Sequence, residues 1–346
     1  MAKFTYRMQN ILDIKIKLEN QAKIAEGSKD VGSEDKILYD VNAVTDNGAD
    51  NTGNVDATTA IQGAINQVKD SGGIVYLPSG IYKIQGNIDV PGGVTLRGEW
   101  RNPDDGGLNK GTILKAYTGK GNTDEKALIS VSSGACLRDI SVYYPEQSAT
   151  APVPYPYTIE GNGHSSLYNI TLYNSYNGFK NNSCSSMIIR EMYGTVLNNG
   201  IWGAYAYDVP RIEGVHFDTS YWAKSGFDNA PSGADLEKLN SYCEENLMAL
   251  LGGEQDWGYW YDINVNHAKY ACYLTAVMEN SGKKVFPGNI AIGNLNTKNV
   301  QYGIYAHSIS YPGLQVSYSD IEADKACIYY AQKPADTDYI GNEDGT

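Results

Sequence analysis

No apolar run in this chain of 346 residues approaches the roughly 18 residues that a membrane-spanning helix needs, so no membrane partner is expected. Positive charge is also scarce. Lys and Arg total 27 against 40 Asp and Glu, for a net charge of −13. Nucleic-acid binding demands a basic footprint, so no nucleic-acid partner is expected either. Cysteine is sparse and odd in number. Cys136, Cys184, Cys243, Cys272 and Cys327 include no CxxC pair, which argues against a zinc knuckle, a redox motif or a full disulfide framework. They read mostly as small buried apolar residues. His164, His216, His267 and His307 are isolated from one another, and no glycine loop of phosphate-cradling type occurs, so neither metal nor cofactor is expected. The N-terminus lacks a continuous apolar stretch and a small-residue cleavage site, and does not read as a signal peptide.

What the chain does have is 37 Gly, 28 Tyr and 12 Pro, the composition of a turn-rich globular protein. Near the start, Phe4, Ile11, Leu18 and Ala25 recur every seven residues, the seam of a helix or short coiled coil. This segment resembles the start of the small coiled-coil protein of the bacterial flagellar export apparatus. "GSKDVGSEDK" (27–36) then reads as a polar linker. The expected division is a helical leader and linker over 1–36 and a single large domain over 37–346.

That domain opens with "DATTAIQGAINQVKDSGG", where Ile61, Ile65 and Val68 share one helix face, Asp56 or Thr58 can cap the start, and Gly72-Gly73 ends it. Short strands between Gly, Asn, Ser and Pro turns follow. Aligning "LRDISV", "LYNITL", "IREMY", "RIEGVHF", "YDINV", "IGNLN" and "SDIEA" puts Ile140, Ile170, Met192, Val215, Ile263, Leu295 and Ile321 in one column, at spacings of 30, 22, 23, 48, 32 and 26. Most of these fit one coil of a parallel β-helix; 48 fits two coils or one long excursion. The preceding residues, Asp139, Asn169, Glu191, Gly214, Asp262, Asn294 and Asp320, suit the bend into a strand. No single coil can bury its apolar face, so stacking supplies the core, and an amphipathic helix would close the open end.

The stretch "VNAVTDNGADNTGNVDATTAIQGAINQVKDSGGIVYLPSGIYKIQGNIDVPGGVTLRGEW" (41–100) resembles the opening module of the pectate-lyase-like β-helix superfamily. It is most similar to its rhamnogalacturonase/epimerase-like group, which includes family 55 glucanases. The resemblance implies an all-β, right-handed parallel β-helix acting on polysaccharide outside the cell, here with an N-terminal capping helix and a helical leader. Family 55 enzymes pair two β-helices, so the chain is expected to be a fragment or one half of such a protein.

Glycoside hydrolysis needs two carboxyl groups across the sugar, so acids clustered beside aromatics are the residues to seek. "RIEGVHFDTSYW" supplies Glu213 and Asp218 as candidate acids, with Arg211, His216, Tyr221 and Trp222 as candidate substrate contacts. The same pattern also fits a solvated face with a structural Arg–Glu pair. "GGEQDWGYWYD" supplies Asp256 as a further acid, with Trp257 and Trp260 as rings for sugar stacking or, alternatively, for packing under the neighbouring helix. A predicted helix over "DLEKLNSYCEENLMALLGG" would wall the groove and deliver this second cluster as a loop. The expected activity is a glycoside hydrolase on a neutral glucan-like or cell-wall polysaccharide. A non-catalytic carbohydrate-binding or spike-like module and a polysaccharide lyase are the alternatives.

Overall fold

The computed structural model describes residues 38–183, 185–206, 208–278 and 284–331. The heptad leader, its linker and Cys184 lie outside the described residues. The described chain is mostly β. It advances in successive coils, each crossing three parallel sheets in turn, here called I, II and III. Val75, Leu96, Leu137, Leu167, Ile189, Ile212, Trp260 and Ile292 register one above the next along sheet I. Along sheet III the inward column runs Ile129, Ile159, Phe179, Ile201, Leu250, Cys272 and Ile304. These side chains are buried, and they form a continuous core that no single coil could build.

The sheet II column confirms six of the seven aligned rungs. Ile140, Ile170, Met192, Val215, Ile263 and Leu295 pair in that order. Ile321 does not join them, because it registers opposite Thr297 rather than Leu295. The left-handed corner of that last coil is Tyr318, and Asp320 sits two residues beyond it. In the earlier coils the corner falls on Asp139, Asn169, Glu191, Gly214, Asp262 and Asn294, with φ between 51° and 66°. Asn and Asp tolerate this backbone and tie the column together: Asn169 Nδ2 donates to Asp139 Oδ1 at 2.6 Å and Asn294 Nδ2 to Asp262 Oδ1 at 3.0 Å. Gly214 meets the same requirement by having no Cβ.

Helix α1 (Thr58–Val68) stands where the first coil would have its third strand, and buries Ile61, Ala64, Ile65 and Val68. Its cap position is Ala57, between the two residues expected there; the Asp56 carboxylate instead accepts from the Thr58 N–H at 3.1 Å. The side chain of Gln62 covers the open strand edge beneath it. Its Oε1 accepts from Asp89 N–H at 2.9 Å and its Nε2 donates to Asp89 C=O at 3.1 Å, so one amide replaces a missing strand residue.

The 48-residue spacing resolves as one excursion. Val215 pairs directly with Ile263, and residues 218–247 leave the stack between sheets II and III. They carry the short helix α2 (Ser220–Ala223) and helix α3 (Ala234–Asn246). The predicted helix is shorter than its sequence pattern. Leu247 is already extended, and Met248–Gln255 is a sheet III strand whose Leu250 pairs with Ile201 and Cys272. The "EQDW" cluster is therefore the end of a strand and a corner, not a loop delivered by the helix. Of the cysteines, Cys243 and Cys272 are buried, Cys136 is half-buried and Cys327 is exposed.

Candidate functional site

Strand alternation puts two rows of polar side chains on the outer face of sheet II. His216, Asn264, Asn296 and Asp320 register along one row. Asp218, Asn266, Lys298 and Glu322 follow two residues further along their strands, so rows lie about 6.6 Å apart and coils about 4.8 Å apart. These side chains line an open cleft of about 340 Å³ that lies across several coils.

Two insertions close one end of the cleft. Between sheets I and II, the loop 98–111 carries a short 3₁₀ turn, Pro103–Asp105, whose first N–H groups are held by Asn102; Oδ1 of that side chain accepts from Asp104 N–H at 2.8 Å. The turn places Asp104 over the His216 row. Asp104 Oδ1 accepts from the Tyr221 hydroxyl at 2.9 Å, and its Oδ2 lies 3.6 Å from His216 Nδ1. The other His216 nitrogen, Nε2, lies 3.3 Å from Asn264 Nδ2.

The second insertion is the 218–247 excursion. Asp218 Oδ1 accepts from Ser220 N–H at 2.6 Å, which fixes the start of α2, and Oδ2 accepts from Asn266 Nδ2 at 2.7 Å. Thr219 and His267 tie helix α3 to this wall. Thr219 Oγ1 donates to Asn240 Oδ1 at 2.5 Å, and His267 Nδ1 lies 2.6 Å from Glu244 Oε1. Tyr193 stacks on His216 with ring centres 4.6 Å apart, and its hydroxyl donates to Glu191 Oε2 at 2.6 Å. Burial raises both Tyr193 and Tyr221 well above the ordinary phenol value, and the hydrogen bonds to Glu191 and Asp104 raise them further. Both phenols are therefore fixed donors, and the carboxylates they face are their acceptors.

The nine sequence-derived site residues do not share one surface. His216, Asp218 and Tyr221 meet in the cleft. Glu213 and Arg211 point outward from sheet I. Glu213 is paired with Arg190 at 2.6 Å, so the structural Arg–Glu pair is real but its arginine is Arg190, not Arg211. Asp256 and Trp257 form the corner from sheet III to sheet I, away from the sheet II rows. Trp222 and Trp260 are fully buried and offer no ring face to a sugar. Trp260 is a rung of the interior column between Ile212 and Ile292, and the Trp222 indole donates to Asn229 Oδ1 at 3.1 Å beneath the excursion. Sequence reasoning missed Asp104, Lys298 and Glu322. The signal for Asp104 was the long polar "RNPDDGG" insertion between two strands, a place where loops carry function.

Residues 41–203, a little under half of the chain, match the family model "Rhamnogalacturonase A/epimerase, pectate lyase-like". No curated protein matches the chain. Among solved structures, an iota-carrageenase complexed to iota-carrageenan fragments is similar at 13% identity and a TM-score of 0.45, over 80% of this chain and 58% of that one. A 1,3-alpha-1,4-beta-D-galactose-4-sulfate-3,6-anhydro-D-galactose-2-sulfate 4 galactohydrolase matches at 8% identity and a TM-score of 0.44, over 87% and 92%. ORF18 of Geobacillus virus E2 matches at 12% identity and a TM-score of 0.35, over 84% and 62%. The chain thus spans under two thirds of the length of the carrageenase and of the viral protein.

Proposed function

We propose that this chain is a polysaccharide-active, right-handed parallel β-helix that holds a polymer along the sheet II cleft and hydrolyses its glycosidic bonds. The right hand follows from the strong general preference of parallel crossovers. Residues 1–36 are a separate leader and linker in this reading. The observation that carries the hydrolase reading is that two carboxylates from different insertions approach Tyr221: Asp104 accepts from its hydroxyl, and Asp218 lines the cleft beside it. Such a pair suits acid-assisted hydrolysis: one carboxyl protonates the glycosidic oxygen while the other activates water or attacks the anomeric carbon. The amides of Asn264, Asn266 and Asn296 offer donors and acceptors to successive sugar hydroxyls. The expected substrate is a neutral glucan-like or cell-wall polymer.

A binding module without turnover is the second reading. What favours it is that both Asp218 oxygens already accept hydrogen bonds from the protein. Incubation with a panel of β-glucans and pectins separates the readings. Reducing ends that vanish in Asp104→Asn and Asp218→Asn support hydrolysis. Unsaturated uronates would make it a lyase, and retention on glycan without any product would make it a module.

A further inference from the structure

The corner from sheet III to sheet I carries a second concavity, of about 250 Å³, on a different face from the sheet II cleft. Trp257 and Tyr259 form one side of it, and Asn289, Pro312, Leu314 and Gln315 the other. Among the described residues, none of its lining side chains is charged. Trp257 is 55% exposed and Tyr259 43% exposed, large values for such rings in the middle of a regular stack. Trp257 also holds a left-handed backbone at φ 54°, a conformation that is strained for an L-residue and that glycine would adopt freely. An exposed tryptophan in that conformation contributes neither core packing nor an easy turn.

The geometry points to a second glycan-binding site here, one that seats a single neutral pyranose ring of a longer chain against Trp257 and Tyr259. Aromatic faces match the apolar face of a sugar, while the amides of Asn289 and Gln315 match its hydroxyls. The absence of charge in the lining selects an uncharged ring over a uronate or sulfated one. The volume falls below the roughly 300 Å³ at which whole-ligand pockets begin, so the rest of the chain extends outside it. This site acts by binding alone, independently of any chemistry in the cleft.

The test measures binding of cellohexaose and laminarihexaose to the full chain by calorimetry and by protection of tryptophan fluorescence from acrylamide, with polygalacturonate as the charged control. At least one neutral hexasaccharide should bind and shield Trp257. Trp257→Ala should weaken that binding by about tenfold or more, the size of one lost aromatic stack. Trp257→Gly should lose binding equally while melting no lower than the parent, because the strained position is relieved. A drop in melting temperature for Trp257→Gly would show a structural role and overturn the assignment. So would binding that survives in Trp257→Ala, or polygalacturonate binding as tightly as the neutral hexasaccharides, or neither hexasaccharide binding. Hydrolysis by the cleft is read separately, from reducing ends, so either proposal can fail alone.

Discussion

The strands Gly258–Leu274 and Ile290–Ala306 each run on through sheets II and III, yet their outward side chains behave differently on the two faces. On sheet III they are tyrosines. Tyr270 stacks on Tyr302 at 5.4 Å, Tyr273 on Tyr305 at 5.5 Å, and Tyr305 on Tyr329 at 5.0 Å. Coil spacing makes successive rings meet face to face, so their faces are consumed by each other and only edges remain for a ligand. Lys269 and Lys325 lie over the outermost faces, 5.4 Å from the centres of Tyr270 and Tyr302. On sheet II the same spacing carries Asn264, Asn266, Asn296 and Lys298, which are too short or too polar to fill the gap and leave an open cleft. Identical backbone thus gives a self-packed ladder on one face and a receptive surface on the other, and side-chain size decides which.

The comparison can be broken by substitution. The largest expected effect is on turnover. Asp104→Asn or Asp218→Asn should lower polysaccharide hydrolysis by about a hundredfold or more, the usual worth of an acid or base. Thermal unfolding of Asp104→Asn should barely move. Next comes Ile263→Ala, which opens a cavity in the column shared by both faces and should cost about 2–5 kcal/mol in denaturant unfolding. Tyr305→Ala removes a ring that touches Tyr270, Tyr273, Tyr302 and Tyr329 and should cost about 1–3 kcal/mol without altering turnover. If it abolished turnover instead, the ladder would be part of the site. The smallest effect is alkaline. Burial, then neighbouring tyrosines, raises Tyr270 and Tyr305 above the ordinary phenol value. Their neutral forms are favoured only in the fold. The resulting stability is intact below the unfolded value of about 10 and is lost as pH climbs from there through the higher folded value. Melting curves across that range should show the loss in the parent and a smaller one in Tyr305→Phe.

The repeat was legible in sequence because each coil needs a corner residue that accepts a left-handed backbone and an apolar residue beside it. Asp139-Ile140, Asn169-Ile170 and Asp262-Ile263 satisfy both, and all six interior rungs follow. Asp320-Ile321 has the same look but lies two residues along its strand. A period of two cannot reveal a slip of two, since inward and outward faces are preserved. Similarly, Tyr259-Trp260-Tyr261 is aromatic on both faces, so pattern alone could not say which ring is inside. The site was half legible. His216, Asp218 and Tyr221 lie in one motif, whereas Asp104 comes from a loop more than 110 positions earlier, brought in by stacking that no local pattern encodes.

The direct pairing of Val215 with Ile263 across a 48-residue gap has an engineering consequence. The ladder does not sense how much chain leaves it at that corner, because the register on either side is unchanged. The 218–247 segment is therefore a socket as far as register goes, and an exchanged insert would keep the scaffold only if it also replaced the core packing of Trp222, Leu239 and Cys243.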